Sequence, residues 1–131
     1  MQIQKVLIVD DDPHIRRIGE LSLHNVGKFE VILAKSGPEA VELAESAKPD
    51  VILLDVMMPG VDGPTTFARL RQNPETKDIC VIFMTAKVQK QEVSTYLGLG
   101  AAGVIGKPFN PITLCEEVKK IANGQAQIVC V

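Results

Sequence analysis

One short apolar run that ends in a carboxylate constrains the fold of this chain more than any other feature. Residues 51–54 are Val-Ile-Leu-Leu, Asp55 follows directly, and residues 56–63 contain one Pro and two Gly. An unbroken apolar run between turn signals is typical of a parallel strand buried on both faces. Asp55 then lies at the carboxyl end of that strand, where open α/β sheets bind their ligands. Because an ionised group beside a core requires compensation, Asp55 is expected to have charged partners.

Five apolar runs of strand length alternate along the chain with five segments of helical character. The runs lie at residues 5–9, 29–34, 51–55, 79–84 and 103–106. This alternation predicts a three-layer α/β fold, in which five helices flank a doubly wound, five-stranded parallel sheet. The strand order expected for this flavodoxin-like class is 2-1-3-4-5.

The same pattern predicts one domain and several element boundaries. We expect the domain to span residues 1–124, with residues 125–131 forming a C-terminal tail, mobile or at the sheet edge, or the start of a linker. Asp12 is the expected N-cap of the first helix, and Asn110-Pro111 is expected to cap the last. Asp62-Gly63 predicts a turn in which the glycine supplies a positive φ.

Composition excludes several classes of partner. The 131 residues include 14 Lys or Arg and 16 Asp or Glu, a formal charge of −2. This balance provides no electrostatic footprint for direct binding of nucleic acid or of an anionic membrane. No signal-peptide core opens the chain and no apolar run reaches the length of a membrane span, so a cytoplasmic location is expected. The three cysteines are odd in number, have neither CxxC nor zinc spacing, and are expected to be reduced structural thiols.

Polar side chains follow four of the five predicted strands. Asp10 and Asp11 follow the first strand, Asp55 ends the third, Thr85 follows the fourth and Lys107 follows the fifth. The carboxyl ends of parallel strands meet at one edge of the sheet, so these groups should lie in one shallow site.

Carboxylates at close range repel one another unless a cation or protons intervene. Mg²⁺ prefers oxygen ligands and suits a site that keeps waters and shares phosphate oxygens. We expect Asp11 and Asp55 to be direct ligands, the backbone carbonyl of Met57 a third, and Asp10 an outer or water-mediated one.

Thr85 and Lys107 add the groups that phosphoryl transfer needs. A carboxylate can act as the nucleophile and form an aspartyl-phosphate. Asp55 would attack, while Lys107 and Thr85 would stabilise charge on the phosphoryl oxygens. These residue types in this arrangement therefore favour a phosphoacceptor site.

Four segments resemble, in order, the receiver domain of response regulators in bacterial two-component systems. They are residues 8–17 (Ile-Val-Asp-Asp-Asp-Pro-His-Ile-Arg-Arg), residues 55–63 (Asp-Val-Met-Met-Pro-Gly-Val-Asp-Gly), Met84-Thr85-Ala86 and Lys107-Pro108-Phe109. The resemblance covers about residues 4–123. It implies phosphorylation of Asp55 by a histidine kinase or phosphotransfer protein, with Mg²⁺ held by Asp10 and Asp11. It also implies sensing of the phosphoryl group by Thr85 and Lys107, and a cis bond before Pro108.

The resemblance also implies how the signal leaves the domain. Phosphorylation would move the face formed by the fourth helix, fifth strand and fifth helix, and so regulate a downstream effector or output domain. The same face is also a candidate surface for a homodimer. Val104 stands where the family often has a switching Tyr or Phe, so the output is expected to run through the backbone and the fourth helix. The chain is then not an enzyme on other substrates, although it catalyses phosphoryl transfer to and from its own aspartate.

Three alternatives stay open at this point. A receiver-like module that docks or dimerises without phosphate would keep the same fold. An aspartyl-phosphate hydrolase would need a general acid two residues after the nucleophile, where this chain has Met57. A nucleotide or flavin binder would need a phosphate-binding loop after the first strand, and acidic residues occupy that loop instead.

Overall fold

A single parallel sheet lies between two layers of helices in the computed structural model, which describes residues 2–129. Its strands are β1 (Lys5–Val9), β2 (Glu30–Ala34), β3 (Val51–Asp55), β4 (Cys80–Thr85), β5 (Gly103–Gly106) and β6 (Ile128–Val129). The strand order is β2-β1-β3-β4-β5-β6, and every neighbouring pair is parallel. The predicted order 2-1-3-4-5 is confirmed, and β6 extends the sheet beyond β5.

Five helices connect the strands, as predicted. They are α1 (Pro13–Asn25), α2 (Gly37–Ala47), α3 (Gly63–Gln72), α4 (Lys90–Gly98) and α5 (Leu114–Ala122). Short polar side chains begin the first three: Asp12 accepts from the His14 N–H, Ser36 from Glu39 and Asp62 from Thr65. Each of these bonds satisfies one of the backbone donors that a helix start leaves free.

Alternation along the strands divides the core into two clusters. In β3, Val51 and Leu53 pack in a cluster with side chains of α1 and α5. Ile52 and Leu54 pack on the other face with side chains of α2, α3 and α4. Because β3 is covered on both faces, all five of its residues are buried, and this burial explains the unbroken apolar run before Asp55.

The start of the last helix and the position of the positive-φ glycine after β3 both differ from the prediction. The last helix begins at Leu114, because residues 111–113 form a separate turn in which the Asn110 side chain accepts from the Ile112 N–H at 2.9 Å. In the loop after β3, the positive φ belongs to Gly60, at 81°, and Gly63 is already helical. Gly63 has a steric role instead, because a Cβ there would collide with the Asp55 carbonyl oxygen.

Two of the three cysteines lie in the part of the chain that the structure describes. Cys80 and Cys115 are free thiols, Cys115 being buried, while Cys130 lies outside the described residues. Within residues 2–129, no helix has both the length and the apolar character needed to cross a membrane.

Candidate functional site

The strand ends meet at one edge of the sheet and bring opposite charges into contact. The Lys107 ammonium donates to Asp10 Oδ2 and to Asp55 Oδ1, each at 3.0 Å. The side chains of Asp10 and Asp55 are only 1% and 3% exposed, and that of Lys107 is 19% exposed. Asp55 therefore has the charged partner that its position demanded, supplied by a residue 52 positions away in the chain.

A third carboxylate, that of Asp11, lies near those of Asp10 and Asp55 at the surface. One oxygen from each of Asp10, Asp11 and Asp55 lies within 4.8 Å of the others, and Asp11 is exposed. One ammonium cannot balance three carboxylates, so the cluster carries excess negative charge when all three are ionised. An all-oxygen donor set with that excess charge fits a hard divalent cation.

The pKa of Asp55 reflects its burial and the neighbouring charges. Burial is the main cause that raises its pKa to about 6, and the Asp10 charge adds to the rise. The hydrogen bond and charge of Lys107, together with the Met57 N–H, act in the opposite direction. For Lys107, burial lowers the pKa, but the hydrogen bonds to Asp55 and Asp10 outweigh it, so its pKa is raised. The ammonium is thus charged at neutral pH.

The loop after β1 is held by bonds that the sequence did not reveal. The Asp10 side chain accepts from the Asp12 N–H at 2.9 Å. Arg16 donates from Nη1 to the Asp10 carbonyl oxygen at 2.6 Å, and so ties the first helix to the residue that pairs with Lys107. Only the place of Arg16, one turn into α1 beside the acidic loop, could have suggested this contact.

The loop after β3 places Met57 beside the acceptor. Met57 is 79% exposed, and its backbone N–H helps to lower the pKa of Asp55. The Val56 N–H donates to the Met84 carbonyl and its own carbonyl accepts from Gly63, which fixes the start of the loop. The role of the Met57 carbonyl as a metal ligand stays a prediction.

Thr85 lies at the same edge of the sheet, but its hydroxyl points in a different direction from the carboxylates of the acidic cluster. It follows Phe83 on the face of β4 that packs toward α2, α3 and α4, and its Oγ1 accepts from the Lys87 N–H at 3.1 Å. Its carbonyl accepts from the Lys107 N–H at 2.8 Å, which couples the two strand ends through the backbone. Within residues 2–129, no hydrogen bond joins its hydroxyl to Asp55 or Lys107.

The two other predicted positions border the site. Ala86 directly follows Thr85; it is exposed and has a small side chain. The Lys107–Pro108 peptide bond is cis, as predicted, and Pro108 is exposed. The structure thus brings Asp10, Asp11, Asp55 and Lys107 into one cluster and places the others around it.

Comparison with known proteins agrees with this arrangement. The family model for the response regulator receiver domain matches residues 6–119. The chain belongs to this family. Among solved structures, the Vibrio cholerae chemotaxis protein CheY4 is similar with a TM-score of 0.84 and 32% identity, over 92% of this chain and 99% of that one. A response regulator from Chloroflexus aurantiacus is similar with a TM-score of 0.82 and 36% identity, over 93% and 99% of the two chains.

Several curated relatives of this receiver domain are longer proteins. A probable transcriptional regulator, ycf27, from Guillardia theta is 38% identical over 90% of this chain, which spans 45% of the relative. The alkaline phosphatase synthesis transcriptional regulatory protein PhoP of Bacillus subtilis is 37% identical over 90% of this chain, which spans 48% of it. The chain therefore spans about half the length of these relatives.

Proposed function

We propose that this receiver domain accepts a phosphoryl group on Asp55 from a histidine kinase or phosphotransfer protein. The observation that carries the proposal is the Asp55 carboxylate at the end of β3, 3.0 Å from the Lys107 ammonium in a cluster with Asp10 and Asp11. A carboxylate in this setting can attack phosphorus, and a neighbouring ammonium can stabilise the charge that develops.

In the proposed step, an Asp55 oxygen forms a bond to phosphorus as the phosphorus–nitrogen bond of the donor phosphohistidine breaks. The nitrogen keeps the electron pair of that bond and then takes a proton from water. Lys107 exchanges its contact with the Asp55 carboxylate for one with a phosphoryl oxygen, while its bond to Asp10 keeps it in place. The Met57 N–H favours the ionised form of Asp55 and would help to orient the acceptor before transfer.

The acidic cluster fits Mg²⁺ as the cofactor of this step. Asp10, Asp11 and Asp55 would hold the ion, with the Met57 carbonyl as a further ligand. When bound, Mg²⁺ offsets the carboxylate charge and lowers the repulsion that an incoming phosphoryl group meets. The protein residues that bind it would otherwise repel an anionic donor, so the reaction should require a divalent cation.

We propose that the signal leaves through the backbone between β4 and β5. Lys107 and Thr85 are already linked by a hydrogen bond of 2.8 Å, so a shift of one strand end is transmitted to the other. Val104 is fully buried and lacks an aromatic ring that could rotate. The loop from Thr85 into α4 would therefore carry the change to a downstream effector or output domain.

Intact-mass spectrometry after incubation with acetyl phosphate tests the proposal. We expect a gain of one phosphoryl group with Mg²⁺, none with EDTA and none in Asp55→Asn. Asp12→Asn is the matched control, because it removes an exposed carboxylate from the same edge and keeps a capping side chain.

Two outcomes would contradict the phosphoacceptor function. A gain that persists in Asp55→Asn would place the phosphoryl group on another residue. No gain in the unmodified protein under any condition would favour the phosphate-independent docking module.

A further inference from the structure

The chain covers its own sheet edge at β5. Residues Ile128 and Val129 pair with Val104 and Ile105, and the Val104 N–H donates to the Gln127 carbonyl at 2.8 Å. Beyond β5, the doubly wound sheet would otherwise end in a row of unpaired backbone groups. The short strand β6 satisfies them from within the same molecule.

Local sequence after α5 turns the chain back toward this edge. Gly124 adopts a positive φ of 76°, and its N–H donates to the Ile121 carbonyl at 3.0 Å. The Gln125 N–H then donates to the Lys120 carbonyl at 2.8 Å, and together these bonds close the helix end in the manner of a glycine C-cap. Ala126 packs against the core cluster next to α1 and α5, which brings the next residue to the edge.

The strand β5 leaves room for this close approach. A Cβ at Gly103 would lie 2.6 Å from the Gln127 carbonyl oxygen and 2.6 Å from Ile121 Cγ2. Any side chain at this position would therefore displace the returning backbone or α5. The glycine and the tail fit each other, which makes residues 125–129 part of the folded domain.

The two edges of the sheet differ in how they resist association. The β2 edge begins with the exposed, charged Glu30. The β5 edge reads Gly-Val-Ile-Gly and carries no charge to discourage pairing with another strand. Two such edges can pair around a twofold axis, because each offers the same unpaired groups to the other.

We propose that residues 125–129 act as a cover in cis, which keeps the β5 edge closed to strand pairing with a second copy of this chain. Association through α4, β5 and α5 then requires release of β6. Only Ile128 and Val129 of the cover form the ladder with β5, so few backbone hydrogen bonds need to break for its release. This proposal is independent of the phosphoacceptor function, since neither phosphate nor metal takes part.

Proline substitutions in β6 provide a matched pair of variants. The register of the ladder directs the Val129 N–H toward the Val104 carbonyl, whereas the Ile128 N–H points away from β5. Val129→Pro removes a ladder donor and should release the cover. Ile128→Pro introduces the same ring at a position where an edge strand tolerates it and serves as the control.

Amide hydrogen exchange measures the release directly. We expect the Val104 amide to exchange about tenfold faster or more in Val129→Pro than in Ile128→Pro, because release of the tail removes its acceptor, the Gln127 carbonyl. The Ile105 amide is an internal reference: it points toward β4, like the Lys107 N–H that donates to Thr85, and should stay protected. Sedimentation velocity over a range of concentrations should show self-association of Val129→Pro only.

Three results would overturn the proposal. Equal Val104 exchange in the two variants would mean that β6 does not protect the edge. Fast exchange in Val129→Pro without association would mean that the cover is not what keeps two copies apart. A stable dimer of the unmodified chain with a protected Val104 amide would mean that the tail is exchanged between two copies.

Discussion

The strand β3 carries an aspartate at each end, and the two have opposite relations to the fold. Asp50, just before the strand, accepts from the backbone N–H groups of Gln4 and Lys5 at 2.8 and 2.9 Å. Asp55, at the other end, faces the carboxylates of Asp10 and Asp11 and shares one ammonium. Asp50 joins two strands, whereas Asp55, the proposed phosphoacceptor, lies among like charges that oppose its ionisation.

The direction of the sheet explains the difference. Near the start of β1, backbone N–H groups are directed at Asp50, and a carboxylate that accepts from them needs no other cation. At the carboxyl ends, the residues that follow β1 are themselves acidic, so Asp55 meets like charge instead. The same type of side chain therefore has a structural role at one end of the strand and the proposed phosphoacceptor role at the other.

The largest effect is expected from removing the shared cation. Lys107→Gln should slow phosphorylation by acetyl phosphate about 10²–10³-fold, because a preorganised donor to the phosphoryl oxygens is lost. The rate can be measured by intact mass at saturating Mg²⁺. Lys90→Gln, on the exposed start of α4, is the matched control and should keep the original rate. An unchanged rate in Lys107→Gln would remove this residue from the proposed reaction.

Asp50→Ala should destabilise the fold by about 1–3 kcal/mol, since two backbone donors at the start of β1 lose their acceptor. Chemical denaturation at neutral pH measures the loss. Asp50→Asn keeps one side-chain oxygen as acceptor and should lose less. Phosphorylation of both folded variants should be unaffected, and a loss of phosphorylation would break the distinction between the two ends of β3.

Asp55→Asn should change the free energy of unfolding in the opposite direction from Asp50→Ala. It should stabilise the metal-free protein by about 1–2 kcal/mol at pH 7. The pKa of Asp55 is raised to about 6 in the fold from an ordinary value of 3.8, so the folded state binds the proton more tightly. The stability of the unmodified protein therefore falls as the pH rises from about 4 through 6. Denaturation across this range in EDTA should show the benefit of Asp55→Asn disappearing below pH 4.

The smallest effect is expected at Asp62, a carboxylate in the loop after β3 that caps α3. Hydrogen bonds from the Thr65 side chain and N–H lower its pKa, so it contributes stability above its unfolded pKa and loses it as the pH falls. Asp62→Asn keeps the cap of α3 and should change stability by only about 0.5 kcal/mol at pH 7, with a weaker acid dependence. A loss of stability as large as that expected for Asp50→Ala would show that the Asp62 carboxylate has a role beyond capping α3.

Much of the fold followed from local patterns. The run before Asp55 predicted a strand buried on both faces, and β3 is one. Asp12 was recognisable as a helix start because its capping bond involves residues only two positions apart. The convergence of Asp10, Asp55 and Lys107 followed from the rule that parallel strands end at one edge.

Other features depended on contacts that no local pattern encodes. The reason for glycine at position 63 is the Asp55 carbonyl, eight residues earlier and in a different element. The contact of Arg16 with the Asp10 carbonyl depends on how α1 docks on the sheet. The direction of the Thr85 hydroxyl depends on which face of β4 it occupies and which helices pack on that face.

The sequence by itself determined the order of strands and helices and the identity of the charged groups at the carboxyl ends of the strands, because apolar periodicity and strand direction are enough to specify both. Only the tertiary structure decided that Lys107 bonds both buried aspartates and that the tail pairs with β5. Those outcomes rest on distances between residues far apart in the chain, which depend on how the layers pack.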